Sequence, residues 1–291
     1  MRQPVLEFIA GGIRVFDGGM GSMLIAAGMP PGVCPETYDG EAIRSIHEKY
    51  VEAGADFILT CTFGGSALTL AKHGLADRTR AINRRNAGLA RAAAGDRAYV
   101  VGDIGPSGEM LEPFGKVTEA QLVEAFTEQA RGLEDGGVDG FILETMSDPN
   151  ELKAAARAVR AVSDKPLFAS MTFSSVPTGY RTMMGTTVAQ AVAAMEGVGA
   201  DVVGTNCTLA PDDMVGLARE LCAATERPVL AQPNAGRPQP DGDRVVYPPI
   251  ANVERHVEAL LDAGVRLIGG CCGTEPDYIR IVRAIADRRN A

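Results

Sequence analysis

A single closed (β/α)₈ barrel is the fold the sequence predicts, and three observations predict it. Eight short apolar runs recur along the chain, each followed by a turn or loop and then a segment of helical periodicity. The length of 291 residues suits one such barrel, which runs to roughly 250 residues or more as one unit. No Pro/Ser-rich linker, composition break or low-complexity tract divides the chain, so one domain over residues 1–291 is expected.

The runs, in order, cover residues 13–16, 57–60, 99–102, 140–143, 167–170, 202–204, 229–231 and 266–268. Between them lie amphipathic segments. In 118–134, Leu122, Phe126, Ala130 and Leu133 fall at helical spacing behind a Thr118 cap. Segments 150–162 and 253–263 have the same pattern. Glycines close several helices just before a strand, at Gly54, Gly136-Gly137 and Gly264, which suits a left-handed C-terminal cap. No internal repeat is expected beyond the βα alternation. The alternative α/β fold, a doubly wound open sheet, calls for G-x-G-x-x-G after the first strand; Gly18-Gly19-Met20-Gly21 is misspaced for that.

Composition bounds the function. Hydrophobic residues make up 46% and charged residues 22%, the balance of a globular chain with a large core. A formal net charge of −9 repels a phosphate backbone or an anionic membrane surface, and no Lys/Arg run offers a local exception. No nucleic acid and no membrane are therefore expected as partners. The stretch Met1 to Glu7 lacks the apolar segment of a signal peptide, and no run approaches the roughly 20 apolar residues of a membrane helix, so a cytoplasmic location is expected. Six cysteines in such a chain then mean burial or metal rather than a disulfide framework.

In a barrel of this kind chemistry gathers at the carboxyl ends of the strands. The first run ends in Asp17-Gly18-Gly19, the second in Cys61-Thr62-Phe63-Gly64-Gly65, the fourth in Glu144-Thr145 and the sixth in Asn206-Cys207-Thr208. The seventh ends in Gln232-Pro233-Asn234-Ala235-Gly236 and the eighth in Gly269-Gly270-Cys271-Cys272-Gly273. Cys207, Cys271 and Cys272 thus meet at one part of the rim. Three soft sulfur donors with a fourth position open describe a catalytic zinc site, and the flanking glycines let two consecutive side chains reach one ion. The competing account of each cysteine alone is a small buried hydrophobe, and it is kept for Cys222, Cys34 and Cys61. Asp17 and Glu144 face the same mouth. They are open to three roles: a general acid/base pair, rim acids bonded to backbone amides, or a clamp for a substrate ammonium, with Gly18 and Gly19 offering N–H groups to its carboxylate. The three histidines, His47, His73 and His256, lie away from the strand ends and receive no role.

Together these residues resemble the homocysteine S-methyltransferase family, from Asp17-Gly18-Gly19-Met20-Gly21 to Gly269-Gly270-Cys271-Cys272-Gly273-Thr274. The tandem cysteines with an upstream Asn206-Cys207 are the specific part. The resemblance implies that Cys207, Cys271 and Cys272 bind catalytic Zn²⁺, that Glu144 holds the homocysteine amino group, and that the Asp17 loop with Gly18 and Gly19 lines the same pocket. It makes Asn234 a substrate-side residue and a candidate fourth zinc ligand before substrate arrives. One departure is Cys61, where relatives commonly carry asparagine. The implied reaction is methylation of homocysteine, activated as a zinc thiolate, to methionine. A free thiol near pKa 8.5 is only a few per cent thiolate at pH 7, whereas a metal-bound thiol is deprotonated outright. Four thiolates on one Zn²⁺ sum to about −2, which keeps the sulfur electron-rich toward a methyl donor.

The resemblance implies as donor either a methylcorrinoid, for which a corrinoid protein is an expected partner, or a small onium compound such as betaine, dimethylsulfoniopropionate or S-methylmethionine. An aromatic cage for a quaternary ammonium finds only Val33, Gly64 and Thr145 at the matching positions, with Phe63, Tyr38 or Tyr180 left to approach from elsewhere. The rival functions are methyl transfer to a different thiol and a non-catalytic zinc-binding barrel.

Overall fold

The computed structural model describes residues 3–236, 239–241, 244–247 and 250–291, and, within these, not the side chains of 239–241 and 244–246. Met1 and Arg2, which open the amino-terminal stretch considered above, lie outside the described residues. Eight parallel strands form the barrel: β1 (Arg14–Val15), β2 (Phe57–Leu59), β3 (Tyr99–Ile104), β4 (Gly140–Met146), β5 (Leu167–Met171), β6 (Val202–Asn206), β7 (Val229–Gln232) and β8 (Leu267–Ile268). Each strand pairs with its sequence neighbour, and β8 returns to β1. A parallel bridge between Phe16 and Phe57 joins β1 to β2 and closes the ring. Every expected run overlaps one of these strands. The helices agree to within one or two residues, as at Glu119–Asp135, where Thr118 and Gln121 form a reciprocal capping box.

Alternation along the strands separates two cores. Val15, Ile58, Val100, Phe141, Leu143, Ala169, Val203 and Val229 pack outward against the helices. The inward set, Phe16, Phe57, Tyr99, Val101, Ile142, Phe168, Val202, Leu230 and Leu267, fills the lower barrel. The short helix Val5–Ala10 stoppers that end with Val5, Phe8 and Ile9. Its Phe8 ring lies 5.1 Å from Tyr99, while Phe57 stacks on Phe16 at 4.8 Å and on Tyr99 at 5.1 Å. Such pairs contribute about 0.5–1.5 kcal/mol each beyond their burial. With its foot packed by aromatic rings, the barrel is open to ligands from the opposite end.

One expectation is corrected. A short repeat does exist, Gly-Ala-Asp at 54–56, Gly-Val-Asp at 137–139 and Gly-Ala-Asp at 199–201. In each, the glycine takes positive φ (97°, 80° and 75°), and the aspartate accepts a hydrogen bond from the preceding strand: Val15 N–H to Asp56 (2.8 Å), Val100 N–H to Asp139 (2.8 Å) and Leu167 N–H to Asp201 (2.9 Å). An arginine from a flanking helix pairs with each, Arg283, Arg91 and Arg160 respectively. The device recurs before β2, β4 and β6, each time anchoring an amide at the start of the preceding strand, and is absent before β8, where Gly264-Val265-Arg266 carries no aspartate. Asp139→Ala is expected to destabilise the protein by about 1–3 kcal/mol, the cost of a buried N–H left without its acceptor. Urea unfolding checks this; an unchanged midpoint would show the bond to be dispensable.

Two hairpins, Ser174–Val176 with Gly179–Arg181 and Gln239–Asp241 with Arg244–Val246, sit in the loops after β5 and β7. Among the described residues no helix is long and apolar enough to cross a membrane.

Candidate metal centre and substrate pocket

The inward columns change character as they climb. Two residues beyond Val101, Ile142 and Phe168 stand Asp103, Glu144 and Ser170, and the columns of β6 and β7 end in Asn206 and Gln232; all five are buried. The barrel therefore carries a polar layer on an aromatic floor, and the cysteines lie just above it. Cys207 follows β6 and Cys271-Cys272 follow β8, with Cys207 Sγ and Cys271 Sγ each 4.0 Å from Cys272 Sγ. The three sulfurs all lie within 4.8 Å of one another, the one such cluster of three or more among the described residues. Tetrahedral zinc with Zn–S near 2.3 Å needs sulfurs about 3.8 Å apart, so the cluster fits that ion with little adjustment.

The backbone is shaped to make this cluster. Cys207 and Thr208 both hold left-handed conformations, φ 62° and 59°, which a β-branched threonine adopts only under constraint. The constraint is visible: Cys207 N–H donates to Gln232 O (3.1 Å), Leu209 N–H turns back to Cys207 O (2.6 Å), and the Thr208 and Thr172 hydroxyls bond at 2.6 Å. On the other side, Cys271 N–H donates to Pro233 O (2.8 Å) and Ala235 N–H to Cys272 O (2.9 Å), lashing the loops after β7 and β8 together. The thiols share their protons unequally. Donation from Cys271 and Cys272 pushes the Cys207 thiol down, and the same bonds hold Cys271 and Cys272 up.

Beside the sulfurs lies a carboxylate cluster. Asp17 accepts the Leu59 N–H at Oδ2 (2.8 Å), while its buried Oδ1 has no partner. Burial raises its pKa, and Glu144 adds to the rise. Glu144 is pushed up to about 7, chiefly by burial. It shares a hydrogen bond with Asp103, whose own Oδ1 also lacks a partner and whose pKa burial raises strongly. Asn206 braces the group: its Nδ2 donates to Thr145 Oγ1 (2.7 Å) and Glu144 Oε2 (3.4 Å), and its Oδ1 accepts from Ser170 (2.7 Å) and Thr145 N–H (2.9 Å). Three buried acids with two orphaned oxygens describe a receptor for a donor group or cation. Asp103 escaped the sequence expectations; strand alternation from Val101 was the signal that locates it.

Gly18 and Gly19 permit close approach. A Cβ on Gly18 would stand 2.9 Å from the Tyr50 hydroxyl, and one on Gly19 would stand 2.7 Å from Cys271 O. Gly19 N–H is engaged by Thr274, at 3.2 Å to both its carbonyl and its hydroxyl oxygen. The first duty of the pair is thus to seat the Asp17 loop against the cysteine loop. Asn234 is buried beside the cluster, its Oδ1 accepting the Cys272 N–H at 3.1 Å.

The remaining candidates lie elsewhere. Cys34 donates to Glu36 (3.0 Å), Cys61 is buried with its thiol toward Pro35 O (3.7 Å), and Cys222 is on the outer helix Pro211–Ala224. His47 is buried and pushed down to about 4, His73 sits in a turn, and His256 pairs with Asp212. Of the aromatic residues, Tyr180 is tied to Asp213 O (3.1 Å) and Tyr38 packs on the outer core, while Phe63 stays 43% exposed. The matching cage positions remain Val33, Gly64 and Thr145, without rings.

Comparison with known proteins gives the family. Two methionine synthases, from Mycobacterium leprae and Mycobacterium tuberculosis, are each 33% identical over 98% and 96% of this chain, which spans about a quarter of their length (25% in each case). Among solved structures, the metallated form of the homocysteine methyltransferase MmuM from Escherichia coli superposes with a TM-score of 0.80 at 23% identity, covering 97% of this chain and 100% of that one. The oxidized form of the same protein gives 0.75 at 25% identity, over 94% and 96%. The profile of the homocysteine S-methyltransferases matches residues 14–286, nearly the whole barrel, and the chain belongs to that family.

Proposed function

We propose that the chain transfers a methyl group to the sulfur of homocysteine, forming methionine, at a zinc ion held by Cys207, Cys271 and Cys272. The observation that carries this is the juxtaposition of three sulfurs within 4.8 Å of one another with a buried acidic cluster. One end of the pocket suits a thiol and the other an ammonium, and homocysteine joins both on a short chain.

When bound, zinc supplies acidity to the incoming thiol, so that no protein base is required. The chain's own residues do the rest. Glu144 and the unpartnered oxygen of Asp17 hold the ammonium, with Asp103 supporting Glu144 from below. The Gly18-Gly19 turn seats the Asp17 loop against the cysteine loop, its Gly19 N–H taken by Thr274. Asn234 borders the same pocket and fixes the Cys272 amide. So oriented, a lone pair on the substrate sulfur forms the new S–C bond as the methyl–donor bond breaks, and that bond's electron pair leaves with the donor.

The donor proposed is a methylcorrinoid presented by a corrinoid protein, or a small onium compound bound without an aromatic cage. The likeness to methionine synthases supports the first, and the ringless positions Val33, Gly64 and Thr145 count against a caged quaternary ammonium. The test offers methylcobalamin, betaine, dimethylsulfoniopropionate and S-methylmethionine separately to zinc-loaded protein with homocysteine. Methionine from methylcobalamin or from an onium donor is expected. Zinc-loaded protein inactive with every donor would leave a non-catalytic zinc barrel, and turnover with another thiol alone would overturn homocysteine as acceptor.

A further inference from the structure

The Gly-x-Asp anchor fills three of the four places the barrel offers it. Before β2, β4 and β6 the aspartate N–H donates to the carbonyl of Val15, Val100 or Leu167, at 2.7 Å in each case, while its carboxylate accepts the same residue's N–H. Gly264-Val265-Arg266 stands in the same frame before β8. Its glycine takes φ 106°, and the Arg266 N–H donates to Val229 O at the start of β7 (3.0 Å). Only the carboxylate is missing. Val229 is 2% exposed, and among the described residues its N–H finds no acceptor in the 264–266 loop or on a side chain. A buried amide left in that state is costly unless something from outside the chain accepts from it.

The cationic half of the anchor is kept. The helices before β3 and β5 give Arg91 and Arg160 to their aspartates, and the helix Pro211–Ala224, before β7, carries Arg219. Arg219, Arg227 and Arg266 line a cavity of about 740 Å³ beside the helix Val5–Ala10, and Val229 stands in the same wall. None of these three arginines pairs with a carboxylate among the described residues. The acids of the wall are Glu226 and Asp262, and Asp262 is taken by Arg289 (2.7 Å). Three guanidiniums therefore stand against one uncommitted carboxylate, in a chain whose net charge is −9.

We infer that this cavity at the foot of the barrel binds a small dianionic oxyanion, a dicarboxylate or a phosphate, which takes the place of the absent aspartate. One oxygen accepts the Val229 N–H, and the others pair with Arg219 and Arg266. The planar fork of arginine suits either oxyanion. The inference is independent of the reaction proposed above, because the cavity lies at the start of β7 and β8 and the cysteines lie beyond the strand ends.

Isothermal titration calorimetry of the wild-type protein with succinate and with inorganic phosphate, each against chloride at equal ionic strength, separates the two sources. At least one of them is expected to bind at a single site per chain. Arg219→Ala is expected to weaken that binding by about tenfold, the worth of one charge-assisted hydrogen bond. Arg266→Asp supplies the missing carboxylate from within the chain. It is expected to abolish anion binding and, with no anion added, to raise the melting temperature by about 2–4 °C. Arg266→Ala removes the cation without supplying the acid, and is expected to weaken binding with no such rise. Wild-type protein that binds neither anion better than chloride overturns the inference, as does a folded Arg266→Asp protein that still binds. Should Arg266→Asp fail to fold by circular dichroism, Arg219→Ala and Arg266→Ala decide, and unchanged binding in both overturns the inference.

Discussion

Cys271→Ala is expected to abolish tight zinc binding and to lower methionine formation by on the order of 10³-fold or more, given that even outer partners of a metal ligand cost about 10–100-fold. The loss follows from geometry. Cys271 is 4.0 Å from Cys272 and joins both other sulfurs, so its removal leaves two donors for a four-coordinate ion. Cys207→Ala and Cys272→Ala are expected to behave alike. The barrel should remain folded in all three, because the cysteines sit on the rim that carries activity while the aromatic floor and the Gly-x-Asp anchors hold the foot. Metal analysis and circular dichroism on the same samples check both halves. A Cys271→Ala protein that retains one zinc per chain would contradict the assignment of that sulfur.

Glu144→Gln is expected to raise the homocysteine KM by about tenfold to a hundredfold, the worth of a charge-assisted hydrogen bond of roughly 1.5–3 kcal/mol. Zinc content should not change, since Glu144 is hydrogen-bonded to Asn206 and not to a cysteine sulfur. Glutamine keeps the shape and the bond from Asn206 while removing the charge that the ammonium needs. Steady-state kinetics across homocysteine concentration make the test. An unchanged KM would reduce Glu144 to a structural member of the buried Asn206 network.

Much of this was legible in the sequence because the signals were periodic or chemically unusual. The barrel strands appear as apolar runs since both faces of each strand are covered, as at Val100 and Val101, one against a helix and one in the interior. The tandem cysteines stand out because soft donors gathered at strand ends have few other uses. Asp103 was missed because the apolar run ends at Gly102, whereas β3 continues to Ile104 and carries the aspartate inward. The Gly-x-Asp repeat was present in the letters, but the contact it makes, to an amide at the start of the neighbouring strand, exists only once the strands are adjacent. Gly19 was expected to offer its N–H to substrate; the structure engages it with Thr274, a contact between residues 255 positions apart that no local pattern reveals.

The central claim is that homocysteine sulfur completes a three-cysteine zinc site. Zinc-edge X-ray absorption on the zinc-loaded protein, recorded before and after homocysteine is added, tests it most directly. The expected result is three sulfur neighbours rising to four at about 2.3 Å, with release of the thiol proton. A sulfur count that stays at three in the presence of saturating homocysteine would contradict it.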